Sequence, residues 1–182
     1  MPNLSENIMK RKRMYIAGLA GLGLIILVSI YNSRNGEGRQ SEIRKCFFCD
    51  FAHHVQGPPP VLEVETDEYV IFKDKYPAST FHYLAIPKEH FDSFKSLNKS
   101  HLGLVQRMDA GMKEFLKSKN INPDKAIIGF HMPPFISVHH LHMHGIYPPS
   151  EMSFGNKINF FSSFWFKTVS KDAISDLKDR EL

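Results

Sequence analysis

Apolar and polar positions alternate with a period of two over several short stretches of this chain, and with a helical period over one longer stretch. Val61 to Glu65 and Tyr69 to Lys73 flank Thr66-Asp67-Glu68 and read as a β-hairpin. Phe81 to Ile86 predicts a further strand, and Ala126 to Phe130 another. Between them Val105, Met108, Met112, Phe115 and Leu116 fall at helical spacing, which predicts a helix from about Ser100, a residue able to cap it, to Lys119. Asn122-Pro123 closes that region. His140-Leu141-His142-Met143-His144 then alternates strictly, so three imidazoles share one face of a strand while Leu141 and Met143 turn to a core. Tyr147-Pro148-Pro149-Ser150 breaks the strand. The aromatic run Phe160 to Phe166 reads as core packing, with cover for a site edge or a partner surface as the alternative. Asp172 to Leu182 reads as a short charged helix.

One stretch has no period. Met14 to Tyr31 is uncharged and mostly apolar, follows Lys10-Arg11-Lys12-Arg13 directly, and sits at the short end of what spans a bilayer. No small-x-small cleavage site follows it, which argues against a signal peptide. An all-round apolar segment outside the patterned region also argues against a core helix. The chain therefore divides into a basic segment (1–13), a transmembrane anchor (14–31), a polar linker (32–44) and a folded domain with a C-terminal extension (45–182).

Composition adds two constraints. With 42% hydrophobic and 23% charged residues, 182 residues suffice for one globular domain plus extras. Much of the net charge of +4 lies ahead of that domain, so no nucleic-acid-binding face is indicated. The two cysteines stand as Cys46-Phe47-Phe48-Cys49. That is too few for a disulfide scaffold and suits two corners of a tetrahedral metal site, a redox pair or a buried pair.

The chemistry is concentrated near His140, His142 and His144. Imidazole titrates nearest neutral pH and serves as nucleophile, acid-base group or metal ligand. Ser137 and His139 stand just upstream. The run Gly129 to Ser137, the triad after it, the Cys-x-x-Cys and the strand from Phe81 to His90 resemble, in that order, the histidine triad superfamily. The resemblance is to the third branch of its nucleotide-binding proteins, near the aprataxin type. It covers about Cys46 to Trp165. The family's pattern is His-φ-His-φ-His-φ-φ, where φ is apolar. Gly145 stands here in one apolar position, His139 is an additional histidine, and the loop before Ser137 is short.

The resemblance implies an α+β fold of the histidine triad type: an antiparallel sheet of about five strands with one main helix, here preceded by the membrane helix. It implies a nucleotide-binding hydrolase, an adenosine 5′-monophosphoramidase acting on AMP-amine conjugates such as AMP-lysine or aminoacyl-adenylates. His142 is then the nucleophile at phosphorus. Ser137 passes the proton to the departing amine, and His144 and His82 contact the phosphoryl oxygens. Asp74 binds ribose, and His131, His140, His142 and His144 line the substrate site. No cofactor is required for the chemistry. A structural Zn²⁺ is implied on Cys46, Cys49, His90 and His140, with His53 and His54 as nearby rivals. Related proteins form oligomers, which extends to a homo-oligomer here. The alternatives are a dinucleotide polyphosphate or DNA-adenylate hydrolase, and a membrane-tethered nucleotide-binding adaptor with little turnover. The basic cluster before the anchor places the N-terminus in the cytoplasm, whereas reduced thiols and a nucleotide substrate favour the cytosolic side for the domain. The topology stays open between them.

Overall fold

The computed structural model of the chain describes residues 46–55, 61–161 and 164–181. The segment 14–31, expected to be an anchor, lies outside them. Among the described residues no helix is long and apolar enough to cross a membrane.

Six strands form one antiparallel sheet in the order β1-β2-β3-β5-β4-β6. They are β1 (Leu62–Glu65), β2 (Tyr69–Lys73), β3 (Phe81–Pro87), β4 (Ile127–His131), β5 (Met143–Tyr147) and β6 (Phe166–Thr168). The helices are α1 (Phe47–Ala52), α2 (Leu102–Ser118), α3 (Phe154–Phe161) and α4 (Ile174–Asp179). The hairpin, the strand at Phe81 and the long helix stand within a residue or two of their expected places. The sheet holds one strand more than the expected five. The added strand, β6, is three residues that start on the last aromatic of the run, Phe166. A segment that short carries too little alternation to be read as a strand.

Two local expectations are corrected. Ser100 does not cap the long helix. Asn98 caps a preceding single turn by accepting from the Ser100 amide at 3.1 Å, and α2 starts after that turn. The triad is also not all strand: β5 begins only at Met143, His140 stands in a bend, and Leu141 and His142 lead in, with the Leu141 amide donating to the Phe91 carbonyl at 2.6 Å. The alternation survives the difference: Leu141 and Met143 join the core under the long helix, and the three histidines are buried away from it.

That alternation sorts the molecule into two layers. On one face, Tyr69, Ile71, Tyr83, Ala85, Leu141 and Met143 pack under the apolar stripe of α2, with α4 closing the same core. On the other face, α1 covers Val70, Phe72, Leu84 and Ile86. There Phe160 of α3 joins Ile127, Ile146 and Phe166 in a smaller cluster. β2 and β3 are buried on both faces, which explains their nearly unbroken apolar runs.

Helix α2 lies close against the sheet. A Cβ on Gly145 would stand 2.5 Å from Met112 Sδ. The glycine at this position of the pattern is therefore matched to the methionine that fills the space above it.

Candidate functional site

β3 and β5 pair in register, Leu84 opposite His144 and His82 opposite Ile146, so His82 and His144 meet diagonally on the face away from α2. The Ala78 amide donates to His82 Nδ1 at 3.0 Å. Neutral His82 therefore carries its proton on Nε2, which faces His144 Nδ1 at 2.9 Å. The His144 proton is then on Nε2. That atom is fully buried and has no hydrogen-bond partner among the described residues. Asp74 Oδ2 lies 3.4 Å from His82 Nε2, and Asp74 Oδ1 accepts from the Tyr76 amide at 2.7 Å.

His142 is held by its own chain. Its Nδ1–H donates to the His140 carbonyl at 2.7 Å, which leaves Nε2 with a free lone pair. Phe48 packs edge-on against His140 and His142, with centroids 5.8 and 5.6 Å apart. Phe160 packs against His82, His131 and His144 at 5.6, 4.8 and 5.2 Å. These apolar walls keep the imidazoles uncharged at neutral pH. Burial pushes His82 down to about 4 against the pull of Asp74, and lowers His142. Burial and the neighbouring histidines hold His144 well below the ordinary range. His131 is lowered for the same first reason, and its Nδ1–H donates to the Trp165 carbonyl at 3.4 Å.

A second cluster stands at the other end of the triad. Cys46 Sγ, Cys49 Sγ, His90 Nδ1 and His140 Nδ1 lie within 4.8 Å of one another. His140 Nδ1 is 3.4 Å from each sulfur, and His90 Nδ1 is 3.2 Å from Cys49 Sγ. A tetrahedral zinc with Zn–S near ~2.3 Å and Zn–N near ~2.0–2.1 Å has edges of about 3.3–3.8 Å, so the donors fit that shell. The His140 Nε2–H donates to the Pro87 carbonyl at 2.9 Å, which frees Nδ1 as a ligand and orients the ring. Burial, then the neighbouring Cys46, pushes the Cys49 thiol up to about 12, so Cys49 stays protonated unless a cation joins it. His53 and His54 are not in this shell. His53 Nε2 donates to the Lys88 carbonyl, and His54 Nε2 pairs with Glu65.

Every histidine expected in the site is thus brought to one sheet face, with His142 between the two clusters. Ser137 is not part of the hydrogen-bonded group. It is exposed on the loop before the triad, without a hydrogen bond among the described residues. His139 is also turned outward, against Asp92 at 3.0 Å. A small cleft of about 10 Å³ lies under the same loop, lined by Ser93, His131, Ile136, Val138, His140 and His142 among others. Phe160 serves both readings of the aromatic run, buried in a core cluster and covering the edge of the histidine site. Reading the sequence alone missed the backbone groups of Ala78 and Pro87, because no residue identity announces a backbone partner.

A sheet with this triad, its middle ring held by the preceding histidine's carbonyl, is the architecture of a histidine triad domain. The family model described as "Scavenger mRNA decapping enzyme C-term binding" matches residues 45–159, and the chain belongs to that family of the histidine triad superfamily. It is 40% identical to a mouse protein named adenosine 5′-monophosphoramidase HINT3 over 126 residues, 68% of this chain and 76% of the relative. A Xenopus tropicalis protein of the same name is 36% identical over 74% of this chain and 89% of its own. Chicken aprataxin is 36% identical over 46% of this chain and 27% of its own length. Among solved structures, a histidine triad protein from Clostridium difficile superposes with a TM-score of 0.52 at 24% identity, covering 56% of this chain and 88% of that one. It supports the fold.

Proposed function

We propose that this chain is an adenosine 5′-monophosphoramidase, which cleaves the P–N bond of AMP-amine conjugates through a His142–AMP intermediate. The observation that carries the reading is the tautomer of His142. The His140 carbonyl accepts from its Nδ1–H, so Nε2 is bare on a ring centred 4.9 Å from that of His144, whose Nε2–H has no partner among the described residues. A nucleophile and a donor for a phosphoryl oxygen are thereby set side by side in a dry site. The names of the HINT3 relatives support the substrate class.

In this reading His142 Nε2 attacks the α-phosphorus and the P–N bond breaks. The amine leaves with a proton delivered by the Ser137 hydroxyl. Water then attacks the His142–AMP phosphorus and returns a proton to Ser137, the P–N bond to the imidazole breaks, and AMP departs. His82, itself donating to His144 Nδ1, fixes the proton of His144 on the phosphate side. Asp74 binds ribose, and His131 backs His144. Zn²⁺ on Cys46, Cys49, His90 and His140 would close a four-ligand shell, with a structural part only: it fixes the chain that leads into His142. Residues 14–31 anchor the protein as a single pass, with the domain on the cytosolic side and self-association as a further element. The uncharged apolar run and the reduced thiols support these points.

The test is AMP release from a fluorogenic adenosine phosphoramidate by the full chain in detergent, compared with His142→Ala. Removing the nucleophile is expected to cost about 10³-fold or more in turnover. Undiminished turnover by a folded variant would refute the reading.

A further inference from the structure

Helix α3 is apolar on two sides. Its inner side chain, Phe160, is 7% exposed and walls the histidines. Its outer stripe is Phe154, Ile158 and Phe161, which are 80%, 44% and 61% exposed. At 100° per residue these three fall within an arc of about 60°, a continuous band along the helix. Lys157 flanks the band. The patch continues past the helix end: Trp165 packs at a tilt against Phe135 at 5.2 Å and edge-on against Phe164 at 5.7 Å, and its indole Nε1–H donates to the Ile158 carbonyl. Phe135 and Phe164 are themselves 51% and 76% exposed. Contiguous apolar surface of this kind marks an interaction site.

We propose that this face of α3 seats the domain on a lipid surface. Two observations favour lipid over a second copy of the chain. The first is area. At ~150–250 Å² for an aromatic side chain, the stripe offers roughly 350 Å² and the whole patch roughly 600 Å², short of the ~800 Å² per partner of a stable complex. The second is the chain outside the described residues. The linker of 32–44 joins the apolar run 14–31 to Cys46, and thirteen extended residues reach at most about 45 Å. A domain on so short a tether meets the bilayer at high effective concentration, so a shallow patch suffices. A basic residue beside a Phe/Ile stripe, with an indole at its edge, is the composition of a helix lying in the interface. Because Phe160 is on the same helix, seating α3 also braces the wall behind His82 and His144.

The inference rests on the anchor proposed above, and the experiment separates the two. Trp165 is the single tryptophan of the chain, so its emission reports this patch alone. The full chain is reconstituted into phosphatidylcholine–phosphatidylserine vesicles with brominated acyl chains, beside the triple variant Phe154→Gln, Ile158→Gln, Phe161→Gln. Flotation with the vesicles reads the anchor, and quenching of Trp165 reads the docking. Both proteins are expected to float, and the wild type alone to lose roughly half its emission, as for an indole at ~5–10 Å depth. Flotation with equal emission in the two overturns the docking and leaves the anchor standing. Failure to float overturns both. Absence of quenching together with crosslinked pairs that the variant abolishes assigns the face to a second copy and overturns the inference.

Discussion

At one end of the stretch 140–144, His140 meets Cys46, Cys49 and His90; at the other, His144 meets His82 and Asp74. In both clusters the ligand-type atoms lie within 4.8 Å of one another. Each holds two histidines, yet they are built for different work. At the first, the Pro87 carbonyl takes the far proton of His140, and Nδ1 turns a lone pair toward two sulfurs. At the second, the Ala78 amide occupies Nδ1 of His82, so Nε2 carries a proton and cannot ligate a cation. The pair becomes a chain of donors that ends on a buried N–H. One backbone carbonyl and one backbone amide decide which group of histidines suits a metal and which suits a phosphate.

The largest effect that would break this contrast concerns the zinc proposed for the first cluster. If it is held there, Cys49→Ser, or a strong chelator, is expected to remove it and several kcal/mol of stability, lowering Tm by about 10 °C or more. Calorimetry with metal analysis on the same samples checks it. An unchanged Tm in a zinc-free protein would make the cluster a hydrogen-bonded corner and nothing more.

Next in size is the second cluster. His144→Gln removes the ring N–H that ends the donor chain while leaving a polar side chain. A fall of about 10²–10³ in kcat is expected, with zinc content and KM little changed. If zinc content falls together with kcat, the two ends are not independent, and the contrast drawn from the tautomers fails.

The sequence made some of this legible and not the rest, for identifiable reasons. The side-chain parity of 140–144 showed which residues share a face, because alternation is a property of the local chain. It did not show that pairing begins at Met143, because ladder partners are set by the other strands. Cys46 and Cys49 announced themselves through local spacing. His90 and His140, 41 and 91 residues from Cys49, came only with the family resemblance. β6 and α3 only overlap the ends of an aromatic run without a clean period, so neither stood out as an element, although cover for the site edge was among that run's readings. Gly145 looked like a flaw in the pattern until Met112 was seen to occupy its Cβ position.

The pH dependence sharpens the contrast further. Burial holds folded His82 at about 4 against an ordinary 6.5, and lowers His142 and His144 as well. Between those values the unfolded chain binds more protons than the folded one, so stability is complete above about 6.5 and drains away as pH falls toward 4. A tenfold difference in proton affinity between the two states corresponds to about 1.4 kcal/mol, so His82 alone contributes on the order of a few kcal/mol to this slope. Urea midpoints across that range measure it, and His82→Gln is expected to flatten the curve. A slope unaffected by that substitution would assign the acid sensitivity to other groups.

The smallest effect tests whether the site depends on the layer beneath it. Gly145 follows His144 and pairs with Tyr83 and Ile128, with Met112 directly over it. Gly145→Ala drives a methyl into Met112, which is fully buried. The thioether is the flexible end of its side chain and can turn aside, so the cost is expected near 1–3 kcal/mol and not outright unfolding. Met112→Ala alone leaves a cavity and costs about 2–5 kcal/mol. Together they fill part of the same space, and the double variant is expected to lose about 0.5–3 kcal/mol less than the sum. Because Gly145 faces α2 while His144 faces the site, kcat is expected to change by less than about tenfold in the single variant. Denaturant unfolding of the four proteins gives the coupling. Strict additivity would mean that Met112 does not dictate the glycine, and a larger loss of kcat would mean that the two faces of β5 are not separable.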